Sequence, residues 1–131
     1  MPLLAVYGTL RRGFRNHVLL RGCELVWEGF TVLPYEMVVD ESCIPYLVPC
    51  DGLRRVYVEV YRVDDERLRV LDEFEDVPRE YIRVEVYVHP VGFAHIYVAP
   101  RPPPRAMKTV EGGDFRAFVS SEAACRHLLE E

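Results

Sequence analysis

Apolar and polar positions alternate along most of this chain, with valine, isoleucine and tyrosine on the apolar side, and that period of two predicts a strand-rich fold. The clearest runs are Tyr57-Val58-Glu59-Val60-Tyr61 and Ile82-Arg83-Val84-Glu85-Val86-Tyr87-Val88, each with one face to bury and one that carries charge. Strands are expected over residues 3–7, 25–33, 35–39, 56–63, 82–88 and 93–98. Helical signals are few: a short one over 16–20, one over 65–75, and a terminal one over 121–129 with Ser120 or Ser121 as its N-cap and Glu122 in its first turn. Pro100-Arg101-Pro102-Pro103-Pro104 cannot donate to a ladder and is expected as an exposed polyproline-type connection. The pattern predicts one α+β domain over residues 1–131, a small mixed or antiparallel β-barrel with a few peripheral helices.

Composition narrows the function classes. Half of the 131 residues are hydrophobic, enough for one core. A net charge of -5 argues against nucleic acid or an anionic membrane as partner, because phosphate-rich surfaces require a basic face. No apolar run reaches membrane-spanning length, and Met1-Pro2-Leu3-Leu4 lacks the basic start of a signal peptide, so a cytoplasmic location is expected. Cys23, Cys43, Cys50 and Cys125 contain no Cys-x-x-Cys pair, and the four histidines complete no ligand set, so no metal site is expected. The cysteines read as mostly buried thiols, with a Cys43–Cys50 disulfide left open. The exposed faces of the tyrosine-rich strands suit either solvent or a second copy of the chain, which leaves a homodimer open.

Two segments can carry chemistry. In Leu3-Leu4-Ala5-Val6-Tyr7-Gly8-Thr9-Leu10-Arg11-Arg12-Gly13 a buried strand breaks into a glycine-bracketed loop, and the successive N–H groups of such a loop form a cradle for a small anion. A Walker-type phosphate site is excluded, since the single lysine, Lys108, lies far away in sequence. Asn16, the only side-chain amide in the chain, either caps the following helix or reaches back to hold the loop. Arg11-Arg12 and Arg54-Arg55 read as solvated or substrate-facing pairs.

The second segment is Asp64-Asp65-Glu66-Arg67-Leu68-Arg69-Val70-Leu71-Asp72-Glu73-Phe74-Glu75-Asp76. At about 100° per residue, Leu68, Val70, Leu71 and Phe74 are placed on one apolar face, with Glu75 at its margin and the other acids turned away. Val77-Pro78 ends the helix, which leaves Glu75 in the last turn. There the negative end of the dipole and burial beside Phe74 both raise a carboxyl pKa, as a group that takes and returns a proton near neutrality requires. The alternative is a frayed end at which Glu75 pairs with Arg79 or Arg83.

Together, Tyr7-Gly8-Thr9-Leu10-Arg11-Arg12-Gly13 with Asn16, Ile44-Pro45-Tyr46-Leu47, and Leu71-Asp72-Glu73-Phe74-Glu75 followed by Tyr81 and Arg83 resemble the γ-glutamylcyclotransferase-like superfamily, nearest its γ-glutamylamine branch. Gly113-Asp114-Phe115 is similar to a late element of that family but discriminates poorly. The resemblance implies an enzyme with no metal or cofactor that cleaves a γ-glutamyl amide by attack of the substrate's own α-amino group, releasing 5-oxoproline and an amine or amino acid. It places the catalytic glutamate at Glu75 and the substrate on Tyr7, Gly8, Thr9 and Leu10, with Asn16 and Arg83 as orienting candidates. Asp76 stands where glycine is common in the family. The rival reading is a non-catalytic module of the same fold that binds a small metabolite or a protein partner.

Overall fold

The computed structural model describes residues 1–100 and 107–130, so most of the proline-rich connection lies outside the described residues. The strands are β1 (Leu3–Val6), β2 (Glu24–Val39), β3 (Pro45–Arg62), β4 (Ile82–Val88), β5 (Gly92–Val98) and β6 (Lys108–Thr109). They form a single sheet in the order β4-β5-β1-β3-β2-β6. β1 runs antiparallel to β3 and parallel to β5, so the sheet is mixed. It curls into a half-barrel whose edges, β4 and β6, are not paired to each other.

The strands expected at 25–33 and 35–39 are one strand. Pro34 lacks an N–H, but the ladder absorbs this by shifting register between Leu33 and Tyr35 instead of breaking. β3 likewise begins at Pro45, well before the expected residue 56. Along β3 the alternation divides two cores: Val56, Val58 and Val60 meet Ile96, Phe14 and Phe115 on one face, while Tyr61 joins Leu4, Val6, Leu68 and Leu71 on the other.

That second core is covered by α1 (Asp65–Phe74), whose N-cap Asp64 accepts the Arg67 N–H at 2.7 Å. Leu68 and Leu71 are buried as expected, but Val70 is 49% and Phe74 45% exposed. Val70 lies two residues from Leu68, about 200° around the helix, and so cannot share its face. The terminal helix also differs from expectation. α2 spans Phe115–Ser121 and is capped by Asp114, whose Oδ1 accepts the Arg116 N–H at 3.0 Å; a 3-10 helix, Ala123–Leu128, follows. Phe115 and Val119, one turn apart, are fully buried, whereas Ser121 ends α2 with its hydroxyl on the Phe118 carbonyl.

Cys43 pairs with Cys125 rather than Cys50; Cys23 and Cys50 are free. The turn after β2 directs Cys43 at the C-terminal 3-10 helix, while Cys50 is carried off along β3. The bridge closes a sequence separation of 82 residues. Cys125→Ser is expected to lower stability by roughly 2–4 kcal/mol by freeing the unfolded chain. Urea unfolding of oxidised protein reads this, and an unchanged midpoint would argue against the cross-link.

Candidate active site

A cavity of about 340 Å³ opens where the end of β1, the start of β3 and the end of α1 converge. After Val6 the chain turns tightly, with the Arg11 N–H on the Gly8 carbonyl at 3.1 Å and the Phe14 N–H on the Arg11 carbonyl at 3.2 Å. Gly8 is required by close approach: a Cβ there would lie 2.8 Å from Pro45 Cγ. Two sequence motifs far apart in the chain, the Tyr7–Gly13 loop and Ile44-Pro45-Tyr46-Leu47, thus meet at one wall of the cavity. Among the described residues, the N–H groups of Gly8, Thr9 and Leu10 make no hydrogen bond within the chain. Such donors suit an anion.

Asn16 takes the second of its two expected roles. The 3-10 helix Arg15–Leu20 begins after Phe14 without a side-chain cap, and Asn16 Nδ2 instead donates to Thr9 Oγ1 at 2.9 Å. His17 Nδ1–H donates to the Leu10 carbonyl at 2.8 Å, which holds the loop from the same helix.

Across the cavity stands Glu75, at the C-cap of α1. The Val77 N–H reaches the Asp72 carbonyl at 3.0 Å and the Asp76 N–H the Glu73 carbonyl at 3.1 Å, the two bonds of a Schellman motif. Asp76 supplies the left-handed residue of that motif, with φ of 54°, a position that glycine fills without strain. The motif fixes the backbone of Glu75 and removes the frayed-end alternative. Arg79 pairs with Asp76, and Arg83 grips Asp72 at 2.8 and 3.0 Å, so neither engages Glu75.

Four tyrosines surround the carboxyl, and each hydroxyl is committed elsewhere. Tyr7 donates to the Tyr97 carbonyl at 2.7 Å, Tyr81 to the Pro45 carbonyl at 2.7 Å, Tyr46 to Glu80 at 2.8 Å and Tyr97 to Asp72 at 2.7 Å. Among the described residues no donor reaches the Glu75 carboxylate. Burial without compensation pushes its pKa up to about 7. The same burial, reinforced by Glu75, holds the Tyr7 phenol well above its ordinary range.

The cavity therefore brings together Tyr7, Gly8, Thr9, Leu10, Asn16 and Glu75. Arg83 is not among its lining residues; besides Asp72 it contacts His95 Nδ1 at 3.0 Å. Arg11, read as solvated or substrate-facing, is 3% exposed and turned toward Glu59 and Asp114. Sequence reasoning assigns no role to Tyr46, Tyr81 or Tyr97. Only the folded chain places them on one cavity. Phe74 owes its exposure to the same place, forming part of the apolar rim.

The half-barrel thus sets a buried carboxyl of raised pKa across one cavity from a loop of free backbone amides. The profile of the family described as Gamma-glutamyl cyclotransferase, AIG2-like matches residues 4–117, and the chain belongs to that family. It is similar to a Vibrio cholerae protein provisionally named a gamma-glutamylcyclotransferase, 42% identical over 96 residues that cover 73% of this chain and 80% of that protein. Human gamma-glutamylaminecyclotransferase is 42% identical over 95 residues, 67% of this chain but only 62% of its own length. The chain thus spans less than two thirds of that relative. Among solved structures, an uncharacterized protein from Pyrococcus horikoshii superposes with a TM-score of 0.77 at 30% identity, covering 92% of this chain and 95% of its own.

Proposed function

We propose that this protein cleaves a γ-glutamyl amide by internal cyclisation, releasing 5-oxoproline and a free amine. The observation that carries the reading is the pairing of Glu75, with a pKa of about 7 and no donor on it among the described residues, with the free amides of Gly8, Thr9 and Leu10 across one cavity. Nucleophile and electrophile belong to the same substrate, so the protein mainly has to fold it into a reactive shape and manage protons. The substrate carboxylate rests on the loop amides. Glu75 takes a proton from the α-ammonium; the freed nitrogen bonds to the γ-carbon; the C–N bond of the amide breaks as Glu75 returns that proton to the leaving nitrogen, and the second proton shed by the ring nitrogen passes through the regenerated carboxylate to the released amine. A loop amide also faces the oxyanion of the tetrahedral intermediate.

The test is mass-spectrometric detection of 5-oxoproline from a panel of γ-glutamyl amino acids and γ-glutamyl amines. Product from some members supports the reading and identifies the leaving group. Binding of a panel member without product would instead favour a binding module.

Asp76 lines the cavity beside Glu75 and disfavours a leaving group that carries its own carboxylate. Asp76→Gly is expected to shift kcat/KM severalfold toward γ-glutamyl amino acids. Since glycine suits the left-handed backbone, the fold remains at least as stable. An unchanged preference ratio would remove Asp76 from specificity.

A further inference from the structure

We infer that Glu59 is a positioning residue for the substrate cradle, a buried clamp on β3 that sets the orientation of the Gly8–Leu10 amides. This rests on the function proposed above. Glu59 lies opposite Val6 in the β1–β3 ladder and opposite Glu28 in the β2–β3 ladder. Two acids facing each other across strands repel, and a carboxylate that is 1% exposed is costly unless it is paired and hydrogen-bonded. The arrangement makes physical sense only with the loop in place. Glu59 Oε1 accepts the backbone N–H of Arg12 at 3.0 Å and the Tyr61 hydroxyl at 2.7 Å, while Oε2 meets Arg11 Nε at 3.5 Å. Arg12 Nη2 bridges to both Glu28 oxygens at 2.5 and 2.6 Å. Arg11 continues to Asp114 Oδ1 at 3.0 Å, on the cap of α2, and lies 4.7 Å from the centre of the Tyr57 ring.

The turn closed by the Arg11 N–H on the Gly8 carbonyl is thus held at its far end by Glu59 and from its other side by Asn16 and His17. Both loop arginines face away from the cavity, and the donors the loop offers the substrate carboxylate are the amides between these fixed points. Rotating the turn redirects those amides without touching Glu75.

The experiment compares wild type with Glu59→Gln and Glu59→Asp, reading 5-oxoproline kinetics, the pH profile and thermal unfolding. Glutamine is nearly isosteric but loses the charge that strengthens the bonds to Arg11 and the Arg12 amide; aspartate keeps the charge but falls short of the loop. Each variant is expected to raise KM about tenfold, with kcat within about threefold and the acidic limb of kcat unmoved, because substrate binding is weakened while the proton-transfer group is intact. A merely structural role would lower the unfolding temperature and leave KM unchanged in both variants, which overturns the inference. An active wild type separates that result from failure of the functional reading, for which no wild-type product would be seen on any γ-glutamyl compound.

Discussion

Glu75→Gln should abolish turnover while making the protein more stable above neutral pH. Replacing the proton-transfer group removes roughly 10²–10⁴-fold in kcat, the usual contribution of general acid–base catalysis. Because Glu75 titrates near 7 and must be ionised to take the ammonium proton, wild-type kcat/KM should rise with pH to a plateau just above that value. A bound ammonium favours the carboxylate, so the limb in kcat lies at lower pH. The stability effect has the opposite sign. The folded value of about 7 stands above the ordinary 4.5, so the wild-type fold is favoured fully below pH 4.5 and loses that stability as pH rises through 7. Glutamine carries no such penalty. With allowance for partial solvent contact, the variant should gain on the order of 2 kcal/mol at pH 8 and nothing at pH 4. Urea unfolding at both pH values, beside the 5-oxoproline assay, checks the pair. An equally active variant would remove Glu75 from the chemistry, and an unchanged stability difference would contradict its burial.

The largest structural effect is expected at Gly113. Its φ is 76°, and a Cβ built on it would collide with the Arg55 carbonyl oxygen and lie 2.8 Å from the carbonyl carbon. The obstacle is the backbone of β3, which cannot rotate aside as a side chain does. Alanine there must displace either the strand or the segment that leads into α2. The second outcome would detach Asp114 from Arg11 and separate Phe115 from Phe14, whose ring centres stack 5.4 Å apart in the core. Backbone strain and lost core packing together should lower stability by about 3 kcal/mol or more. Chemical unfolding of Gly113→Ala reads this directly; a midpoint within error of wild type would show that α2 is not seated as described. The Gly113-Asp114-Phe115 element, uninformative as a motif, is therefore a structural joint.

Much of the site is legible in the amino-acid sequence. The glycine-bracketed loop, the loop-holding role of Asn16 and the singular position of Glu75 follow from glycine placement, from the scarcity of amides and from helical period, all of which are local. Resemblance adds the proposed reaction. Where the fold departs from those local signals, angle and packing decide. Val70 neighbours Leu71 in the chain, yet its angle from Leu68 turns it out of the buried face. The terminal helix starts earlier than its serines suggest, because Asp114 holds the cap and Phe115 and Val119 supply the apolar contacts.

The sequence by itself determined where most strand segments lie, though not the full extent of β2 and β3, together with the helix that ends at Glu75 and the glycine-bracketed loop, because period, caps and glycine act within a few residues of the chain. Only the tertiary structure decided the Cys43–Cys125 pairing, the half-barrel with its open edges, the tyrosine wall and the burial of Glu59 beneath the loop. These depend on strand order and register, which bring residues dozens of positions apart into contact. A carboxylate on a strand reads as solvent-facing until the register shows the loop lying over it.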